Sequence, residues 1–255
     1  MHEAFHGDFS RLLEHKGVSI SAPRVGEEEG LPAAHGTTVI ALKYEEGILN
    51  VADRRATSST GILYDEAEKV LVLDEYTLIA IAGSYAPAAE AARFLKHSFK
   101  YFARSQLQEM SLEGKLAEVS KVLSQSIPSV LQGIGGFLPI VSVYDRNHKQ
   151  GRIFFYDVLG ARFESREYGS AGSGAEKIRG TFEYITRTRG PFHVLPLEEV
   201  LKDALLLLDI AASLDPATAG LGGVLPLGKT ITAAGVADIP EEKIRALQRK
   251  LLSES

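Results

Sequence analysis

Thr37 follows Gly36, Asp53 stands 16 positions further on in the run ADRRAT, and Lys69 another 16 beyond that. The spacing suggests that a folded sheet gathers a hydroxyl, a carboxylate and an ammonium into one site, the ingredients of nucleophilic catalysis by a threonine.

Two hairpins must position them. Thr37–Lys43 (TTVIALK) and Gly47–Asp53 (GILNVAD) read as strands joined by the loop Tyr44-Glu45-Glu46, with glycine just after it. That loop sets Lys43 opposite Gly47, Val39 opposite Val51 and Thr37 opposite Asp53. The period of two then puts Thr37 and Asp53 on one face. Taken alone, the pattern equally describes a surface Thr–Asp pair of no consequence. A second hairpin, Val70–Leu73 and Tyr76–Ala82 around Asp74-Glu75, begins directly after Lys69 and ends in Gly83-Ser84. Ala91, Phe94, Leu95, Ser98, Tyr101 and Phe102 then recur at helical spacing, with Pro87 in the first turn. Gly83 thus sits where a strand hands over to a helix, and backbone N–H groups there can stabilise a developing oxyanion. An ordinary turn glycine fits the same position.

HGTTVIALKY, ADRRAT, Lys69 and AGSYA together resemble the proteasome β-subunit family, specifically the bacterial, actinobacterial-type 20S β subunit. The likeness runs along nearly the whole chain, through LPAAHGTT, LQGIGGFLPI, YGSAGSGA and the tail VADIPEEKIRAL. It implies an N-terminal nucleophile (Ntn) hydrolase fold of the α+β class, a four-layer α/β/β/α sandwich of two antiparallel sheets. The implied activity is threonine-dependent peptide-bond hydrolysis inside a closed barrel of stacked rings, with no cofactor.

Carried over residue by residue, the resemblance makes Thr37 the nucleophile once the Gly36–Thr37 bond is cut, with the freed α-amine as general base. An unperturbed α-amine has a pKa of roughly 7.7 to 8.0, so near neutral pH an appreciable fraction can take the hydroxyl proton, which an amide nitrogen cannot. Lys69 would lower the proton affinity of the Thr37 site, and Asp53 would orient and compensate Lys69. Ser173 matches a serine near the new amine. Asp215 and Thr218 match the pattern Asp-x-x-Ser/Thr-Gly, and Arg55 an arginine behind the site, though a charged residue at a strand end fits there too. Ala219 departs from the pattern by standing where glycine is usual; where close backbone approach is required, it would shift the loop that carries Thr218.

The positions that resemble the specificity pocket are Ala56, Ala67, Leu71, Ile81, Tyr85 and Ala89, none of them charged. Such a lining accepts apolar or aromatic side chains and penalises burial of an unpaired charge, which predicts cleavage after hydrophobic residues. Thr57 would bind the substrate main chain as an added strand.

Residues 1–36 differ in character. They hold four of the seven histidines, the acidic run Glu27-Glu28-Glu29, Pro23 and Pro32, and only a short amphipathic stretch around Phe9, Leu12 and Leu13. They lack the long apolar core of a secretory signal, and the histidine spacing is too irregular for a metal site. On composition alone this is an exposed disordered leader; under the resemblance it is a propeptide that blocks Thr37 until assembly, with residues 37–255 as the catalytic domain. Those remaining residues suffice for one well-buried domain. The absence of cysteine excludes disulfides and thiolate metal sites. A net charge of -5 offers no broad attraction to nucleic acid, and no apolar stretch approaches the roughly 20 residues of a spanning helix. With the resemblance, these features point to the cytoplasm.

Further along, helices are expected near 86–110 and 113–127, the second interrupted by Pro128, with a break at GIGG, 133–136. Strands near 139–145 and 152–158 follow, then a shorter strand before YGSAGSG. Helices near 174–187 and 197–213, a β-like stretch at 229–237 and a helix from about 240 complete an order that suits the four-layer sandwich. Gly223–Thr230 (GVLPLGKT) matches the P-loop pattern letter for letter, but such a loop must follow a core strand and open a helix, whereas TITAAGV after it is strand-like. A non-catalytic structural subunit is the other alternative; retention of Thr37, Asp53, Lys69, Ser173 and Asp215 together argues against it. The partners implied by the resemblance are α subunits, homo-heptameric β rings stacked back to back between α rings, a gating ATPase or other activator, and unfolded protein substrates, without nucleic acid or membrane.

Overall fold

Strand β1 (Thr38–Tyr44) is apolar on both faces: Val39 and Ala41 point one way, Ile40 and Leu42 the other, and all four are buried. A strand of this kind needs a layer on each side. With β2 (Gly47–Ala52), β10 (Tyr168–Gly172), β11 (Leu227–Thr232) and β12 (Gly235–Asp238) it forms an antiparallel sheet in the order β10-β1-β2-β11-β12. A second antiparallel sheet runs β5 (Val70–Asp74), β6 (Thr77–Gly83), β7 (Phe137–Asp145), β8 (Gln150–Tyr156) and β9 (Arg162–Ser165). The computed structural model describes residues 37–58, 61–132, 135–157 and 159–254. The propeptide expected at 1–36 and residues 133–134 of the expected glycine-rich break lie outside the described residues.

The sheets pack face to face through Val39, Ala41, Ile48, Leu78, Ile140, Ile153 and Ile231. On the outer face of the first sheet, Ile40, Leu42, Leu49 and Val51 meet helices α3 (Ala175–Arg189) and α4 (Leu197–Leu214) through Ile178, Phe182, Leu201, Leu205 and Leu208, and α5 (Glu241–Glu254) adds Ile244 and Leu251. On the outer face of the second, Ile79, Val141, Val143 and Phe154 meet α1 (Tyr85–Gln106) and α2 (Leu112–Leu131) through Ala92, Leu95, Leu116 and Leu123. The result is an α+β chain in α/β/β/α layers, the sandwich expected. Each fully buried Leu, Ile or Phe contributes about 1.5–3 kcal/mol, so the three apolar interfaces hold the sheet ends where the site is built.

The register of the first hairpin differs from expectation by one residue. Tyr44 pairs with Gly47 and Val39 with Ala52, leaving Glu45-Glu46 as the turn. Buried on both faces, the two strands carry no polar alternation to fix their pairing. The second hairpin shifts likewise: β5 runs to Asp74, whose Oδ1 accepts the Tyr76 N–H at 3.0 Å, and the turn is Glu75-Tyr76. Pro128 does not interrupt α2, because the turn beyond it is closed by the Gln132 N–H on the carbonyls of Pro128 and Ser129. YGSAG is itself strand β10, paired with β1. A separate hairpin, β3 (Ala56–Ser58) with β4 (Gly61–Tyr64), falls outside the elements expected. The β-like stretch at 229–237 resolves into β11 and β12 around Ala233-Ala234.

Candidate active site

Asp53 leaves the end of β2 with 1 % of its surface exposed. Its Oδ1 accepts the Thr38 N–H at 2.7 Å and Lys69 Nζ at 2.9 Å, and its Oδ2 accepts the N–H groups of Arg55 at 3.0 Å and Ala219 at 3.3 Å. Four donors from four segments leave the carboxylate no freedom to turn. Lys69, just before β5, is as deeply buried and also donates to the Arg55 carbonyl at 2.5 Å. Burial pushes the Lys69 ammonium below its usual pKa, while Asp53 works against that drop. Arg55 pairs through Nε with Asp65 at 3.0 Å, its charge adds to the lowering of the Lys69 pKa, and its backbone N–H and carbonyl bond Asp53 and Lys69.

Thr37 lies just ahead of β1 and is buried; its carbonyl accepts the Ser173 N–H at 3.0 Å. Gly172 comes so close that a Cβ there would stand 1.9 Å from the Thr37 oxygen, and its φ of 109° is one that glycine adopts freely. Ser173 Oγ donates to Asp215 Oδ2 at 2.5 Å, and Thr218 Oγ1 donates to the same oxygen at 2.7 Å. Burial would raise the Asp215 carboxyl, but hydrogen bonds from Ser173, Thr218 and the Ala217 N–H outweigh it and hold the group below the usual carboxylate range. Since Thr218 gives its only proton to Asp215, the Thr38 hydroxyl is the donor in the 2.7 Å contact Thr38 Oγ1 to Thr218 Oγ1. A chain of contacts thus runs from Lys69 and Asp53 through Thr38, Thr218, Asp215 and Ser173 back to Thr37.

A cavity of about 340 Å³ opens beside Thr37, lined by Ala82, Gly83, Gly136, Phe137, Leu138, Gly172 and Ser173. The Ser84 N–H bonds to the Gly136 carbonyl at 2.9 Å and the Ile81 N–H to that of Lys69 at 2.9 Å. In an antiparallel ladder such bonds alternate, so the Gly83 N–H points away from β7, on the side where β5 has already ended. That amide faces the end of the sheet at the cavity wall, a suitable place for an oxyanion donor. A larger cavity of about 660 Å³ opens around the Glu45-Glu46 turn and contains none of the candidate catalytic or substrate-binding residues.

The structure therefore gathers Thr37, Gly83 and Ser173 around one cavity, with Asp53, Lys69, Asp215 and Thr218 linked to them by hydrogen bonds. Ala219 does not displace the loop: its backbone avoids positive φ, and the close approach falls at Gly220, where a Cβ would stand 3.0 Å from Asp209 Oδ1. Ala56, Ala67, Leu71, Ile81, Tyr85 and Ala89 are not among the residues that line this cavity; they fall on β3, the approach to β5, β5, β6 and α1. Thr57 lies in β3, next to a register irregularity. Sequence reasoning missed Thr38, Gly174, Phe137 and Leu138. The small residues of GSG were a signal for Gly174, where a Cβ would meet Thr38 Oγ1 at 2.4 Å. The P-loop letters end in strand β11; Lys229 pairs with Asp238 at 2.5 Å and Glu68 at 3.3 Å, and Thr230 Oγ1 donates to the Ala237 carbonyl. No phosphate cradle forms there, since no helix follows.

A family model described as "Proteasome subunit" matches residues 33–220. The chain belongs to the proteasome subunit family. The matched span contains Thr37, Asp53, Lys69, Gly83, Ser173, Asp215 and Thr218. The chain is 32% identical over 221 residues to "Proteasome subunit beta 2" of Thermomonospora curvata, covering 86% of this chain and 77% of that protein. It is 37% identical over 188 residues to "Proteasome subunit beta" of Jonesia denitrificans, covering 74% and 60%. With "Proteasome subunit beta" of Acidimicrobium ferrooxidans it shares 29% identity over 252 residues, covering 96% and 88%. Among the described residues of this proteasome-family chain, no helix is long and apolar enough to cross a membrane, and no cluster of His, Asp and Glu could hold a metal.

Proposed function

We propose that this chain is the catalytic β subunit of a proteasome core, a threonine endopeptidase that matures by cleavage between Gly36 and Thr37. The observation that carries the reading is Thr37 on the wall of a cavity shared with Gly83 and Ser173, one residue before an amide bonded to the buried Asp53–Lys69 pair. Removal of residues 1–36 as a propeptide frees the Thr37 α-amine. That amine takes the hydroxyl proton, Thr37 Oγ1 attacks the scissile carbonyl carbon, and the Gly83 N–H meets the resulting oxyanion. The ammonium returns the proton to the leaving nitrogen as the C–N bond breaks, leaving an ester on Thr37. Water, deprotonated by the same amine, hydrolyses the ester and restores the hydroxyl.

The Lys69 charge lowers the proton affinity of the Thr37 site, and Asp53 holds Lys69 in place. Ser173 and Asp215 position the backbone from which the amine projects. The uncharged lining at Ala56, Ala67, Leu71, Ile81, Tyr85 and Ala89 favours apolar residues before the cut, with Thr57 holding substrate main chain. Such an enzyme works in the cytoplasm, in homo-heptameric β rings closed by α rings and fed unfolded protein by an activator. The test is intact mass and N-terminal sequencing after co-expression with α subunits, alongside hydrolysis of an apolar fluorogenic peptide. A new N-terminus at Thr37, with activity abolished in Thr37→Ala, is expected; an intact leader in fully assembled particles would instead make the chain a structural subunit.

A further inference from the structure

We infer that Lys229 is a positioning residue for the proposed catalysis: it reaches from the first sheet to Glu68 and so fixes the backbone from which Lys69 extends to Asp53; this rests on the peptidase reading above. Leu227, Lys229 and Ile231 are alternate residues of β11, and Leu227 and Ile231 pack into the core between the sheets. An ammonium thus stands in an apolar row, with 8% of its side chain exposed. A lysine buried there needs carboxylates. It meets two: Asp238, its partner across the β11–β12 ladder, whose Oδ1 accepts from Nζ at 2.5 Å, and Glu68, whose Oε1 stands 3.3 Å from Nζ.

Glu68 and Lys69 are chain neighbours held in opposite senses. Lys69 belongs by its backbone to the second sheet, since its carbonyl accepts the Ile81 N–H of β6 at 2.9 Å, and its ammonium reaches Asp53 at the end of β2 in the first. Lys229 belongs to the first sheet, where β11 pairs with β2, and its ammonium reaches Glu68 on the segment that leads into the second. Two bridges between ammonium and carboxylate therefore cross between the sheets side by side, one from each direction. Lysine carries its charge on a flexible four-carbon stem, so where the Lys69 ammonium stands depends on where its backbone is held.

The carboxylates of Glu68 and Asp238 are 53% and 73% exposed, so water screens both pairs and they add little to stability. Methionine at 229 would continue the apolar row at similar length. The consequence of having lysine there is the placement of Lys69.

The experiment compares assembled particles of the wild type, Lys229→Met, Lys229→Arg and Glu68→Ala on an apolar fluorogenic peptide. In Lys229→Met, kcat falls by on the order of 10- to 100-fold at unchanged KM, the effect of moving a group near the chemistry by up to about 1 Å, while the urea midpoint stays at or above that of the wild type. The alkaline limb of kcat/KM also moves to lower pH: Asp53 opposes the lowering of the Lys69 pKa by burial, Arg55 adds to that lowering and Asp65 opposes it, so a Lys69 drawn away from Asp53 loses its proton earlier. Lys229→Arg, which keeps a cation in reach of both carboxylates, retains most of the activity. Glu68→Ala cuts the same bridge at an exposed residue and reproduces the fall, and it replaces Lys229→Met if that variant does not assemble. A wild-type kcat and alkaline limb in either variant, or a fall in kcat that only follows a lowered urea midpoint, overturns the proposal. Crystal structures of the assembled wild type and variant decide independently of hydrolysis: a Lys69 ammonium withdrawn from Asp53 in the variant supports the positioning role, and an unchanged 2.9 Å contact refutes it. A wild type that neither cleaves before Thr37 nor hydrolyses any peptide counts against the peptidase reading, while the crystal structures still decide on Lys229.

Discussion

Thr38 faces Asp53 across the β1–β2 ladder: its N–H donates to Asp53 Oδ1 at 2.7 Å, and the Asp53 N–H donates back to the Thr38 carbonyl at 3.2 Å. The residue after the proposed nucleophile is thus the one locked to the buried ion pair. Thr37 stands one step beyond the last rung, so a chain cut before it keeps the anchor of β1 intact.

Asp53→Asn replaces one carboxylate oxygen with a donor, which then confronts either the N–H groups of Arg55 and Ala219 or Lys69 and Thr38. It also leaves the Lys69 ammonium buried without its countercharge. Removing one partner of a buried pair costs about 3–5 kcal/mol. The expected outcome is a much lower melting temperature together with loss of cleavage at Thr37; calorimetry that gave the wild-type midpoint would contradict it.

The pH profile should carry the mark of Lys69. Burial lowers its folded-state pKa, so below that value the penalty for a buried ammonium is present in full, and it is relieved as pH rises toward the unfolded value of about 10.4. Activity moves the opposite way, because loss of the charge raises the proton affinity of the Thr37 site. We expect kcat/KM to fall on the alkaline side before about pH 10.4, and on the acid side as the freed amine protonates below the ordinary 7.7 to 8.0 of an α-amine. A rate flat to the alkaline limit would remove Lys69 from the mechanism.

Gly174→Ala sets a Cβ 2.4 Å from Thr38 Oγ1 and 3.0 Å from both Thr218 Oγ1 and Ala211 Cβ. Overpacking of this kind costs about 1–3 kcal/mol, and it pushes Thr38 from Thr218. Activity should drop further than stability, by on the order of 100-fold for a displacement of about 1 Å. Comparing kcat with the urea midpoint separates the two effects.

Asp215 should limit stability in acid. Its folded pKa lies below the unfolded value of about 3.9, so its contribution is complete above that value and is lost as pH falls through the lowered one. Asp215→Asn should therefore flatten the acid limb of the stability curve while changing it little between pH values, once above about 5. Denaturant midpoints across that range measure the difference.

The types and chain positions of Thr37, Asp53, Lys69, Ser173 and Asp215 were readable as letters, because each carries a functional group in a recognisable run. So was the layer order, since strands apolar on both faces demand cover on both sides, and the helical spacing after Gly83 supplied it. Pairing was another matter. TVIALK and GILNVA hold only Thr38, Lys43 and Asn50 among apolar residues, so no alternating polar face marks which of two adjacent registers is right, and the packing of Ile40 and Val51 against the helices selects the one that places Thr38 opposite Asp53. Whether Ala219 fits and why Gly174 must be glycine depend on contacts between segments far apart in the chain, decided by differences of a few tenths of an ångström. Patterns of residue type carry no information at that scale; the three-dimensional close packing of the folded chain does.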